Sequence, residues 1–235
     1  MFKNEKTSPR RYYGILKGML LKCGPLAACK GGNILYHNVS LTLFPGDLVL
    51  LTGPSGAGKT TLLRQIIGLD PSPTTKRFFD GRYYRYPEDM PEFRRRCLLL
   101  AANAPMISGT IEENLKFPFS FGWAQDSFKV SRAQSFLREL GLSHLDLSRP
   151  VSDLSLGERH RLALVRALLW EPTILLADEP FTGLDEENIK RVWHLFEQQF
   201  RQGKKALLVV SHQRPPGFFT RHLYLEGGTL KEMVS

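Results

Sequence analysis

Gly53-Pro54-Ser55-Gly56-Ala57-Gly58-Lys59-Thr60 fits the pattern G-x-x-x-x-G-K-[ST] without a substitution. Before it, Asp47-Leu48-Val49-Leu50-Leu51-Thr52 reads as a buried strand. After it, Thr61-Leu62-Leu63-Arg64-Gln65-Ile66-Ile67 reads as a helix stopped by Gly68. Strand, glycine loop and helix is the context in which this pattern binds phosphate. The glycines let backbone amides turn inward around a triphosphate, and the helix N-terminus adds partial positive charge. On this reading Gly53, Pro54, Ser55, Gly56, Ala57, Gly58, Lys59, Thr60 and Thr61 form the cradle. Lys59 reaches the β- and γ-phosphates, and the Thr60 hydroxyl ligates Mg²⁺.

The surrounding chain predicts an α/β domain. Residues from Leu20 to Leu51 alternate apolar runs with Gly and Asn and read as strands, with a turn at Phe44-Pro45-Gly46-Asp47. Phe128 to Leu140 carries apolar residues at helical spacing and ends at Gly141. Leu162 to Trp170 predicts a second helix, halted before Pro172. Ile189 to Phe200 predicts a third. Thr173-Ile174-Leu175-Leu176-Ala177 and Ala206-Leu207-Leu208-Val209-Val210 read as buried strands. Strands alternating with helices predict a parallel sheet.

Composition narrows the class. The 235 residues suffice for one large domain, and 42% hydrophobic with 23% charged content is ordinary for a globular protein. No apolar run approaches a membrane span, and the polar start Met1-Phe2-Lys3-Asn4 does not read as a signal peptide. Cys23, Cys29 and Cys97 lack metal-site spacing and read as reduced thiols. The net charge of +9 suggests an anionic partner. The clusters Arg10-Arg11, Arg94-Arg95-Arg96, Arg159 with Arg161, and Lys204-Lys205 are short and scattered. They read as solvated surface charge near a membrane, and no specific nucleic acid is expected.

Two predicted strands end in groups with chemistry. Asp178-Glu179 follows Ala177, and adjacent carboxylates at a buried strand end are costly without a metal or proton. Beside a phosphate loop, Asp178 is the expected Mg²⁺ partner and Glu179 the expected general base for an attacking water. Ser211-His212 follows Val210, which places His212 to sense the γ-phosphate.

Further motifs give the chain a specific resemblance. Leu154-Ser155-Leu156-Gly157-Glu158 resembles the signature L-S-G-G-[QE] of ABC transporter nucleotide-binding domains. Pro180-Phe181-Thr182-Gly183-Leu184-Asp185 resembles that family's D-loop, and Ser211-His212 its switch histidine. Phe79-Asp80-Gly81 and Gly109-Thr110-Ile111-Glu112-Glu113-Asn114-Leu115 match further landmarks, so the resemblance covers about Leu20 to Leu230.

The resemblance implies a P-loop NTPase fold: a RecA-like parallel sheet core, an N-terminal antiparallel β subdomain and an inserted helical signature subdomain at about 104–165. It implies a basic tail over 1–13 and one ABC ATPase domain over 14–235. It implies ATP and Mg²⁺ as ligands, with Glu179, His212 and Lys59 catalytic. It further implies that Ser155 and Gly157 of one copy, with Asp185, face the γ-phosphate held by a second copy. The partners implied are that second ABC domain, in a homodimer when ATP is bound, and a membrane-spanning transporter subunit. The location implied is peripheral, on the cytoplasmic face of the inner or plasma membrane. Stretches of the chain also resemble iron- or metal-export and haem-export cassettes, which fixes no cargo.

Three departures stand against that pattern. The family's glutamine before Pro105 is replaced by Ala102 or Asn103, depending on one gap. The adenine-stacking aromatic falls near Ala28-Cys29-Lys30, where none is present. Leu156 replaces the first signature glycine. They support an alternative, a hydrolysis-impaired regulatory or assembly subunit; a third reading is a soluble ABC ATPase acting on nucleic acid or ribosomes. Lys59, Thr60, Asp178, Glu179, Asp185 and His212 are all present, which argues against the first. A single cassette without coiled coils argues against the second.

Overall fold

The structure is a computed structural model that describes residues 18–70, 74–103, 105–121 and 127–233. The tail expected over 1–13, with Arg10, Arg11, Tyr12 and Tyr13, lies outside the described residues. Two sheets organise the chain. The first is antiparallel. β1 (Leu21–Lys30) and β2 (Asn33–Leu43) form a hairpin around Gly31-Gly32, whose φ of 57° and 80° suit glycine. β4 (Lys76–Phe79) and β5 (Arg82–Tyr84) extend it in the order β2-β1-β4-β5.

The second sheet has the order β10-β9-β3-β8-β7-β6. It is built from β3 (Leu48–Thr52), β6 (Cys97–Leu100), β7 (Ile174–Asp178), β8 (Ala206–Val210), β9 (Arg221–Glu226) and β10 (Thr229–Met233). All neighbours are parallel except β9 and β10. Its central strands are apolar on both faces, as parallel strands covered on both sides must be. Alternate residues go to different cores. Leu48, Leu175, Ala177, Leu207 and Val209 join the core under the helices. Val49, Leu51, Ile174, Leu176, Leu208 and Val210 join the core shared with the antiparallel sheet.

The helices are α1 (Lys59–Ile66), α2 (Met90–Arg96), α3 (Ile111–Lys116), α4 (Val130–Glu139), α5 (Leu156–Leu169) and α6 (Glu186–Phe200). α5 starts at Leu156, not at the apolar run from Leu162. Ser155 accepts from the Glu158 amide while the Glu158 carboxylate takes the Ser155 amide. This reciprocal cap starts the helix on a polar turn that hydrophobic spacing does not reveal. α6 likewise starts at Glu186, because Asp185 caps it by accepting from the Asn188 amide at 2.8 Å.

Two of the basic clusters, Arg94-Arg95-Arg96 and Arg159 with Arg161, are not simple solvated charge. Arg159, half-buried, donates to the carbonyls of Leu154 and Ser152 at 3.0 and 2.8 Å. Arg94 donates to those of Ile67 and Gly68 at 2.9 and 2.6 Å. Arg96 pairs with Asp80 at 2.6 Å. A guanidinium has five donors in a fixed fork, so it serves carbonyls at loop and helix ends as readily as it serves anions. Sequence alone shows the charge and not where it is aimed.

Candidate functional site

The site forms where the central parallel strands end. In the register, Leu51 lies beside Val210, and Val210 beside Asp178. The phosphate loop, the carboxylates and Ser211-His212 therefore leave the sheet at one level. This is the crevice at the carboxyl ends of strands where open α/β sheets bind ligands.

The loop needs its glycines. A Cβ on Gly53, at φ 150°, would collide with the Leu225 carbonyl. One on Gly58, at φ 96°, would meet the Tyr36 ring at 3.0 Å. Gly58 occupies the cap position of α1 and offers no side chain to its amides. The first-turn N–H groups of α1 consequently have neither an intrahelical nor a side-chain acceptor, which is the arrangement that holds an anion. Lys59 Nζ donates to the carbonyls of Gly53 and Pro54 at 2.8 and 2.9 Å. Those bonds stretch the lysine over the loop and use two of its three donors.

Thr60 Oγ1 donates to Asp178 Oδ2 at 2.8 Å. Thr60 comes from the loop helix and Asp178, only 5% exposed, from the end of β7. Glu179 follows with φ 48°, a left-handed conformation that non-glycine residues seldom adopt. Its amide donates to the Val210 carbonyl at 2.9 Å, which ties the turn to β8. The Glu179 carboxylate lies 3.5 Å from His212 Nε2. Burial raises the Glu179 pKa most; His212 and Lys59 pull it back and Asp178 pushes it up. A carboxyl raised in this way is suited to take a proton.

Ser155 and Gly157 lie on a different element, the first turn of α5. A Cβ on Gly157 would meet the Gly183 carbonyl at 3.3 Å, so the signature turn and the segment Thr182–Asp185 pack together within one chain. The His160 ring nitrogen Nδ1 and the Thr182 carbonyl are 2.7 Å apart and tie the same two segments. Leu156 stands 61% exposed beside them. Glu158 is held by Ser155 and by His144, which lies 3.0 Å from its carboxylate. These contacts lower its pKa to about 2, the His144 hydrogen bond most.

Ala102 and Asn103 form an exposed turn after β6. Leu100 pairs with Ala177, so that turn leaves the sheet beside Asp178. Cys29 and Lys30 are exposed at the hairpin end of β1, with Cys29 opposite the exposed Ile34. Tyr36 is wholly buried under the loop, its hydroxyl donating to Gln65 at 3.0 Å. It cannot stack on a base. A groove of about 530 Å³ lies alongside β6, lined by apolar residues that include Leu98, Leu100 and Trp170 and by Arg94, Arg95 and Arg166.

A glycine loop between a parallel strand and a helix N-terminus, its Thr60 bonded to Asp178 and Glu179 following at the end of β7, two strands across in the sheet, defines a phosphate-loop NTPase. Comparison with known proteins narrows this. Residues 36–182 match the family described as ABC transporter. The chain is 31% identical over 207 residues to the lipoprotein-releasing system ATP-binding protein LolD 1 of Chlorobium luteolum, covering 84% of this chain and 88% of that one. A dimeric ATP-binding cassette in a post-hydrolysis state, bound to ADP and Pi, superposes with TM-score 0.77 at 25% identity, over 92% of this chain and 99% of that one. A cbiO component of the cbiONQ transporter complex of Clostridium perfringens shares the fold, with TM-score 0.74 at 20% identity over 92% and 88% of the two chains. The chain belongs to the ABC transporter family. It is the ATP-binding subunit, an ATPase that powers transport. Nothing in these comparisons favours the impaired or the soluble alternative.

Several contributors escaped the sequence reading. His160, His144, Gln65, Arg77 and Arg94 all act through long-range contacts or backbone carbonyls. No local spacing signals such partners.

Proposed function

We propose that two copies of this chain bury ATP between them, each supplying one half of every site. Lys59 and the backbone N–H groups of residues 53–61, Pro54 excepted, hold the β- and γ-phosphates. Thr60 and Asp178 present hard oxygen donors 2.8 Å apart, a set that fits Mg²⁺. That ion, when bound, neutralises charge on the phosphate oxygens. Glu179 positions a water and accepts its proton. The water oxygen bonds to the γ-phosphorus, and the bond from that phosphorus to the β–γ bridging oxygen breaks, giving ADP and inorganic phosphate. His212, close to Glu179, touches the γ-phosphate and registers its loss. Ser155 and Gly157 of the other copy close on the same phosphate, with Asp185 beside them.

The observation that carries this reading is the convergence of Thr60, Asp178, Glu179 and His212 from three neighbouring strand ends. The groove beside β6 is where we seat the membrane-spanning subunit. It is mostly apolar, and it borders the Ala102–Asn103 turn that leaves the sheet next to Asp178. Among the described residues no helix is long and apolar enough to cross a membrane. On its likeness to transporter ATP-binding subunits, we place the chain as a peripheral subunit held on the cytoplasmic face by its partner. We take 14–235 as the ATPase domain, with its helical insertion at about 104–165.

The test is Glu179→Gln. General-base loss costs about 10²- to 10⁴-fold in rate. The variant should bind ATP as the wild type does, hydrolyse it at least about a hundredfold more slowly, and accumulate as an ATP-bound pair in light scattering. Wild-type turnover in that variant would move the base elsewhere, with His212 the next residue to replace.

A further inference from the structure

α1 is held at both ends, and its far end is gripped by two arginines from separate elements. Arg77, on β4, donates from Nε to the Ile66 carbonyl at 2.8 Å and from Nη2 to that of Gln65 at 2.6 Å. Arg94, on α2, donates from Nε to Ile67 at 2.9 Å and from Nη2 to Gly68 at 2.6 Å. Four consecutive carbonyls, 65 to 68, are thereby taken by two forks. The Gln65 carbonyl also accepts from the Gly68 amide at 3.0 Å; all four lie in the closing turn of the helix, where carbonyls run short of partners and the dipole favours cations.

The arrangement is costly, which argues that it does more than fill space. Arg77 is wholly buried, and its Nη1 has no hydrogen-bond partner among the described residues. Burial lowers its pKa, against the opposing pull of Cys23 and Cys97. Between the forks, the Gln65 side chain accepts from Tyr36 and donates to the Ala27 carbonyl at 2.8 Å. Gly68 approaches α2 so closely that a Cβ there would stand 2.7 Å from Met90 Sδ. α1 has only eight residues. At 1.5 Å rise per residue, a displacement at its C-terminus carries directly to Lys59 and Thr60.

We propose that Arg77 and Arg94 are positioning residues for the nucleotide site: they lock the carbonyl end of α1 so that its amide end stays aimed at the triphosphate. Neither touches nucleotide in this reading; both act through α1. The inference rests on the proposed function, since it presumes that α1 holds ATP.

The experiment measures ATP affinity and steady-state hydrolysis for the full chain carrying Arg94→Gln, Arg94→Lys or Arg96→Gln. Loop contacts are made in ground and transition states alike, so their loosening raises KM and leaves kcat nearly unchanged. Arg94→Gln should raise KM and Kd for ATP about tenfold, with kcat within about twofold. Arg94→Lys, which keeps the charge and loses the fork, should recover part of that loss. Arg96→Gln, from the same arginine run but paired with Asp80, should match the wild type. Amide hydrogen exchange over 59–68 should quicken in Arg94→Gln.

A merely structural role would lower the active fraction, and so kcat, at unchanged KM; that result overturns the proposal. So does wild-type KM in a folded Arg94→Gln. If Arg94→Gln does not fold, Arg94→Lys decides alone: a raised KM supports the clamp and a wild-type KM refutes it. A wild type that binds no ATP, or whose binding ignores Lys59→Ala, refutes the proposed function itself. ATP binding that depends on Lys59 but not on Arg94 refutes only the clamp.

Discussion

The N-termini of α1 and α5, which the proposed function brings to one ATP, are built in opposite ways. α1 begins at Gly58, which supplies no side-chain cap, so its first amides stay open to an external anion. α5 begins at Ser155 and carries its own anion, because the Glu158 carboxylate takes the Ser155 amide at 2.8 Å and the Ser155 hydroxyl at 2.8 Å. An open helix end binds ligand at the expense of its own stability. A capped end is stable and offers less: by helix geometry, the amides of Leu156 and Gly157 are those left without an acceptor. In the proposed function, the contrast lets one end hold ATP in a single chain while the other contributes only once a second chain delivers a phosphate.

Removing Lys59 should break the comparison most visibly. Lys59→Ala deletes a charge-assisted contact worth about 1.5–3 kcal/mol, so ATP affinity should fall about ten- to a hundredfold by calorimetry. Unchanged affinity would mean that the open end of α1 is not where the triphosphate sits.

A smaller effect is expected at the capped end. Glu158→Ala should destabilise the fold by about 1 kcal/mol, the usual worth of a helix cap, and leave the ATP affinity of the single chain untouched. The pH dependence has a definite sign. A depressed carboxylate stabilises the fold fully above its unfolded pKa of about 4.3, and that contribution fades as pH falls toward the folded value of about 2. The gap between wild type and Glu158→Ala in denaturant melts should therefore narrow as pH falls below about 4 toward the folded value. A gap unchanged at pH 3 would show that the cap is not ionic.

The least effect should come from exchanging the base. Tyr36 is buried beneath the loop, and the hairpin end at Cys29 and Lys30 carries no aromatic ring. In the proposed function the open end of α1 grips phosphates, which ATP and GTP share. Their affinities should agree within about tenfold, or about 1.4 kcal/mol. A strong ATP preference that disappears when residues before Gly14 are removed would assign base recognition to Tyr12 or Tyr13.

How much was legible follows the same division between local and distant causes. The parallel sheet, the loop and helix α4 were visible because strand burial, glycine spacing and helical periodicity are written within a few consecutive residues. Apolar spacing alone starts α5 and α6 six and three residues late, although the resemblance puts a helix N-terminus at Ser155. Their caps, Ser155 and Asp185, are polar, and the apolar pattern begins only afterwards. Asp185, assigned to the interface by resemblance, is also the residue that starts α6.

The sequence by itself determined that this chain folds around a phosphate loop and carries an acid pair and a histidine on later strands. The order of those motifs along the chain is enough to mark the family. Only the tertiary structure decided that Thr60 meets Asp178, and that Glu179 sits strained and partly desolvated beside His212. It also decided that Arg77 and Arg94, two of many charges in a basic chain, reach the carbonyl end of α1. Motifs are local because a turn or a strand is shaped by neighbouring residues. Side-chain partners are set by the strand order β3-β8-β7 and by which carbonyls a fold leaves unpaired, and neither exists until distant segments have packed.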